Sequence, residues 1–160
     1  MKAFNTLLKF SLAILLLANC KSSNLKEPEQ VGQLVFNLLK NISIDTKKAY
    51  TDKFITANDL QRIVNKHNIA EEITVTQDEL TSEIESEYNE IKAKGIKYSI
   101  NWQKIEYLDF IYSTSTYEGI LNLEGKLYFK YDDETYIVDV KSIFSGKEYK
   151  LYSIDYLRYN

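Results

Sequence analysis

Two hydrophobic periods divide the chain. From Glu29 the apolar residues fall at Val31, Leu34, Val35, Leu38, Leu39 and Ile42, the stripe of an amphipathic helix resting on something apolar. Asp45 is placed to cap a short helix carrying Tyr50, Phe54 and Ile55. Thr56 with Asp59, and later Thr76 with Glu79, have capping-box spacing, and each precedes a helical stripe: Leu60, Ile63 and Val64 after the first, Leu80, Ile84, Tyr88 and Ile91 after the second. Gly95 supplies an end for that last helix.

From Ile96 the period becomes two. In "IKYSINW", Ile96, Tyr98, Ile100 and Trp102 alternate with Lys97, Ser99 and Asn101, which predicts a half-buried strand that runs on, itself or through a successor, into "KIEYLDFIY". Gly125, Leu127, Phe129 and Tyr131 alternate with lysines. Asp132 and Asp133 then mark a turn into Tyr136, Val138 and Val140, and "FSGKEY" marks another into a final strand from Glu148 to about Tyr156. The expectation is an α+β domain: amino-terminal helices packed on a curved antiparallel sheet of about four strands, with a meander at its carboxyl end.

The first 20 residues follow neither pattern. Lys2 and Lys9 precede an apolar segment, Leu12 to Ala18, which is shorter than the roughly 20 residues needed to span a bilayer core. A secretory signal is the better fit. "LANC", Leu17 to Cys20, resembles the lipobox of bacterial lipoproteins; Asn19 stands where such signals usually place Gly, Ala or Ser. The resemblance implies cleavage of residues 1–19 and a diacylglyceryl thioether on Cys20, with two or more acyl chains giving a stable membrane anchor. Its partner is then a membrane of the cell envelope, and the domain faces the periplasm or the cell surface. Cys20 is the sole cysteine, so the mature domain would hold no disulfide or cysteine metal site. The polar stretch 20–28, which contains the only proline, reads as a tether, and residues 29–160 as one domain.

Loss of Lys2 and Lys9 would leave 18 basic against 23 acidic residues, a net charge near −5. Such a chain is poorly suited to phosphate backbones or anionic lipid, and nucleic acid is not expected as a partner. Eleven of the 13 tyrosines follow Gly95. Tyrosine suits strands whether or not a ligand is present. The sharper reading is that Trp102, Tyr107, Tyr128, Tyr136 and Tyr152 line the concave face of a curved sheet and stack against a sugar, lipid or peptide, so that the partner is a protein or a small apolar ligand.

Catalytic and metal signals are sparse. His67, the sole histidine, sits in helical register with Leu60, Ile63 and Val64 and reads as a helix end. "DDE", Asp132 to Glu134, has no calcium-loop spacing and reads as a polar turn, so neither metal nor cofactor is expected. Glu79, Glu83, Glu85, Glu87 and Glu90 crowd one helix and form either a solvated face or an acidic surface for a basic partner. A base could still hide among Asp109, Glu118, Asp139 or Asp155.

Helices followed by an antiparallel sheet resemble the cystatin-like and NTF2-like domains in element order alone, and that group spans binding modules and pocket enzymes. The leading expectation is a non-catalytic binding or scaffolding lipoprotein. The second is an immunity or inhibitor protein covering a basic toxin or hydrolase with the acidic helix, and the third a small pocket enzyme.

Overall fold

The computed structural model describes residues 25–67, 69 and 75–160; the expected signal 1–19 and Cys20 lie outside the described residues. Among the described residues, four α-helices precede four strands. Helix α1, Pro28–Asn41, starts where proline's fixed φ and missing N–H are harmless, and it buries Val31, Val35, Leu38 and Leu39. Helix α2, Lys47–Thr51, is capped by Thr46 rather than Asp45: the Thr46 hydroxyl accepts the Ala49 N–H at 3.1 Å. The γ-oxygens of Thr56 and Thr76 likewise accept the N–H of Asp59 and Glu79, opening α3, Ala57–Lys66, and α4, Gln77–Lys97.

The strand expected over "IKYSINW" does not form. Ile96 and Lys97 complete the last turn of α4, Ser99 reverses the chain at φ 55°, and Trp102 opens a single 3-10 turn, Trp102–Lys104. Gly95 is not the end of α4 either. It lies inside the helix, where a Cβ would stand closer than 3.0 Å to the Trp102 ring. Its missing side chain is the slot into which the indole folds back.

Strands β1, Glu106–Tyr117, β2, Ile120–Tyr131, β3, Glu134–Phe144, and β4, Tyr149–Tyr159, form one antiparallel meander in the order β1-β2-β3-β4. Left-handed residues make the tight connections: Glu118 and Gly119 between β1 and β2, Asp132 between β2 and β3, Gly146 before β4. Bulges at Leu108 in β1 and, in β4, at Tyr152 and at Tyr156–Leu157 opposite Val138 shift the register and bend the strands they interrupt.

Residues paired across strands point to one face. The rows Phe110–Leu127, Gly125–Val140–Ile154 and Leu123–Ser142–Leu151 lie under the helices with Val138 and are buried with Leu39, Ile84 and Ile91. Phe110 needs two glycines: its ring occupies the space a Cβ would take at Gly32 of α1 and at Gly125 of β2. Leu25 joins this core from within the expected tether, 8% exposed, and its carbonyl accepts the Tyr149 N–H at 2.6 Å. The folded unit therefore reaches back to Leu25.

The two sheet edges are treated differently. Along β4, the Ile55 N–H donates to the Leu151 carbonyl at 2.7 Å, and the Glu87 carboxylate from α4 accepts the Ile154 N–H at 3.2 Å and the Ser153 hydroxyl at 2.6 Å. Along β1, no backbone of another described element bonds the outer edge.

Candidate functional site

The sheet face opposite the helices is built by alternation alone. Register places Asp109, Tyr128, Ile137 and Arg158 in one transverse row, Ile111, Lys126, Asp139 and Asp155 in the next, and Ser113, Glu124 and Lys141 in a third, which Ser153 closes at the edge. Ile111 is 57% exposed, and Glu124, Lys126 and Lys141 are exposed as well. These rows line an open groove of about 470 Å³ with Ile111, Lys126, Tyr128 and Lys141 on its walls. Arg158 grips Asp139 through both guanidinium nitrogens at 2.8 and 3.0 Å, which holds the row's centre rigid. An apolar side chain and a phenol set among alternating charges suit recognition of a polypeptide surface, where aromatic contact supplies affinity and charges supply register.

The five expected stacking residues do not share one face of the sheet. Trp102 is buried against Gly95 and Phe129, with the indole 6.0 Å from the Phe129 centroid. Tyr136 lies parallel to Phe129 at 5.5 Å, beside Tyr98 and Tyr159, and burial pushes its hydroxyl pKa up. Tyr107 meets Phe36 edge-on at 5.5 Å. These three rings are spent on the helix side of the sheet. Tyr128 alone of the five lines the groove, and Tyr152 sits at the β4 bulge, where burial and the carboxylates of Glu83 and Glu87 raise its pKa. A tyrosine on the expected face and one on the covered face look alike in composition. Only register separates them.

The candidate bases also scatter. Asp109 accepts its neighbour's N–H from Phe110, Glu118 lies exposed in the β1–β2 turn, and Asp139 is held by Arg158. Asp155 is raised mainly by burial, and its Oδ1 has no hydrogen-bond partner among the described residues. His67 ends α3, with its N–H bonded to the Ile63 and Val64 carbonyls. Asp133 of "DDE" faces Lys130 at 3.7 Å in the β2–β3 turn. Among the described residues no three His, Cys, Asp or Glu side chains converge to hold a metal, and no helix is long and apolar enough to cross a membrane.

The most perturbed carboxylate is Glu87. Burial raises its pKa to about 7, against the pull of its bonds from Ser153 and Ile154. Its oxygens face the β4 edge, and Glu87 is not among the residues lining the groove. Sequence reading placed Glu87 only in a run of glutamates. The signal it lacked was the bulge at Tyr152, which brings Ser153 and the Ile154 N–H within reach.

No family model matches the chain, and no curated protein and no solved structure matches it.

Proposed function

We propose that the protein is a membrane-anchored lipoprotein of the cell envelope, lipidated on Cys20, whose domain binds or scaffolds a protein partner outside the cytoplasm without catalysing a reaction. Helices followed by an antiparallel sheet support, on this reading, a likeness to the cystatin-like and NTF2-like domains. The observation that carries the binding role is the uncovered sheet face, where Ile111 and Tyr128 stand exposed or half-exposed among Lys126, Lys141 and Glu124. The perturbed carboxylate, which would otherwise favour a pocket enzyme, is consumed at the sheet edge.

A second reading has its own support. Asp78, Glu79, Glu83 and Glu90 lie exposed along α4, an acidic ridge fit to meet a basic toxin or hydrolase. Photo-crosslinking in intact cells separates the two. A photoreactive residue in place of Tyr128 is expected to capture a discrete partner while one at Glu90 captures none, and the reverse pattern would transfer the role to the ridge. Cys20→Ala in the same cells is expected to release the protein into the soluble fraction or leave it as unprocessed precursor. Retention of a processed, detergent-partitioning form would sink the anchor.

A further inference from the structure

Three separate segments build the end of the domain from which the chain runs toward Cys20. The bond from Tyr149 to the Leu25 carbonyl and the buried Leu25 side chain fix that exit beside the 145–148 loop between β3 and β4. A cavity of about 240 Å³ there brings Leu25 together with Lys53 and Lys150. A second, of about 290 Å³, shares Glu148 and Lys150 with it and adds Arg62, Lys66 and Lys147. The Lys66 ammonium stands directly over Gly146.

The three carboxylates in these two cavities are already engaged. Asp52 pairs with Lys48 at 2.7 Å, Asp59 with Arg62, and Glu148 with Lys150 at 2.8 Å. Lys53, Lys66 and Lys147 form no ion pair among the described residues. In a chain of net charge −3, three lysines without an ion pair among the described residues thus lie together around these two cavities, beside the segment that leads to Cys20.

We propose that this cationic end docks on the anionic headgroups of the leaflet that holds the lipid, so that the domain sits in one orientation instead of swinging freely. The proposal rests on the lipoprotein reading above. Five residue steps separate Cys20 from Leu25, a reach of at most about 17 Å. Attraction to an anionic surface acts within a Debye length of about 8 Å. A tether this short lets the lysines come within range, and each cation that arrives strengthens the contact roughly fivefold. The net acidity that disfavours anionic partners for the molecule as a whole does not govern this end.

The test uses the mature lipidated chain, reconstituted in vesicles of phosphatidylcholine alone or with a third of it replaced by phosphatidylglycerol. Flotation reads the anchor, and acetylation of individual lysines, followed by mass spectrometry, reads the docking. Labelling of Lys53, Lys66 and Lys147 is expected to fall about fivefold on the anionic vesicles and to recover in high salt, while Lys126 and Lys141 on the open sheet face label equally on both. In Lys66→Glu with Lys147→Glu, both at exposed positions, the protection of Lys53 is expected to vanish. Flotation with both vesicles but equal labelling would overturn the docking and leave the anchor standing. Flotation with anionic vesicles alone would support the cationic surface and remove the anchor, and flotation with neither would overturn both.

Discussion

Glu87 joins α4 to the edge of β4 through two hydrogen bonds, and burial holds its pKa at about 7 against an ordinary glutamate value of 4.5. Between those pH values the native chain keeps a proton that the unfolded chain has released, so stability from this group is greatest below pH 4.5 and falls as the pH rises through 7. The side chain is partly exposed, and solvent screening limits the loss to on the order of 1 kcal/mol. Urea midpoints measured from pH 4.5 to 8 are expected to decline for the wild type and to decline less for Glu87→Gln, which cannot ionise. Equal slopes would show that Glu87 titrates normally. None of this was legible from residue order, because a glutamate four residues after Glu83 reads as one more solvated charge until the β4 bulge is known. The caps of Thr56 and Thr76 were legible, since their donors lie three residues away in the same segment and belong to capping-box residues.

At the scale of elements, α3, α4 and the last three strands could be read because each carries one period over many residues. "IKYSINW" could not, because its alternation arises by coincidence from a helix end, a reversal and a 3-10 turn. Ile96, which the strand reading would bury with Trp102, is 79% exposed. The deciding contact is Trp102 on Gly95, and it yields a prediction opposite in sign to helix propensity. An exposed helical Gly→Ala change gains about 1 kcal/mol, yet here the added methyl meets the indole. Gly95→Ala is expected to lower stability by about 1 to 3 kcal/mol, measured by thermal or denaturant unfolding. Gly95→Ala combined with Trp102→Leu is expected to lose less than the two single changes together. Strict additivity would mean that the ring and the glycine do not share space.

For the whole molecule, one layer of helices on one sheet face was foreseeable from the order of periods. Which tyrosines would lie beneath the helices was not, since that depends on register and on bulges that no local pattern announces. Nor did the polar segment before α1 advertise that its single leucine belongs to the core. Leu25→Ala is expected to cost about 2 to 3 kcal/mol, and a version beginning at Glu27 is expected to melt below one beginning at Cys20 by a similar amount in differential scanning calorimetry. Identical melting of the two would mean that Leu25 contributes nothing when the chain is cut.

The difference between the sheet's two edges carries a consequence for association between copies of the chain. From Phe110 to Tyr117 the bare margin of β1 reads "FIYSTSTY", with no charge and no proline to repel a neighbouring strand. The far margin of β4 has its Leu151 carbonyl and Ile154 amide already taken by the protein's own Ile55 and Glu87. If two copies join by that margin, each covers the other's uncharged seam, and the first half of β4, held by Ile55 and Glu87, offers a third copy no equivalent place. Growth beyond a pair is hindered along that stretch.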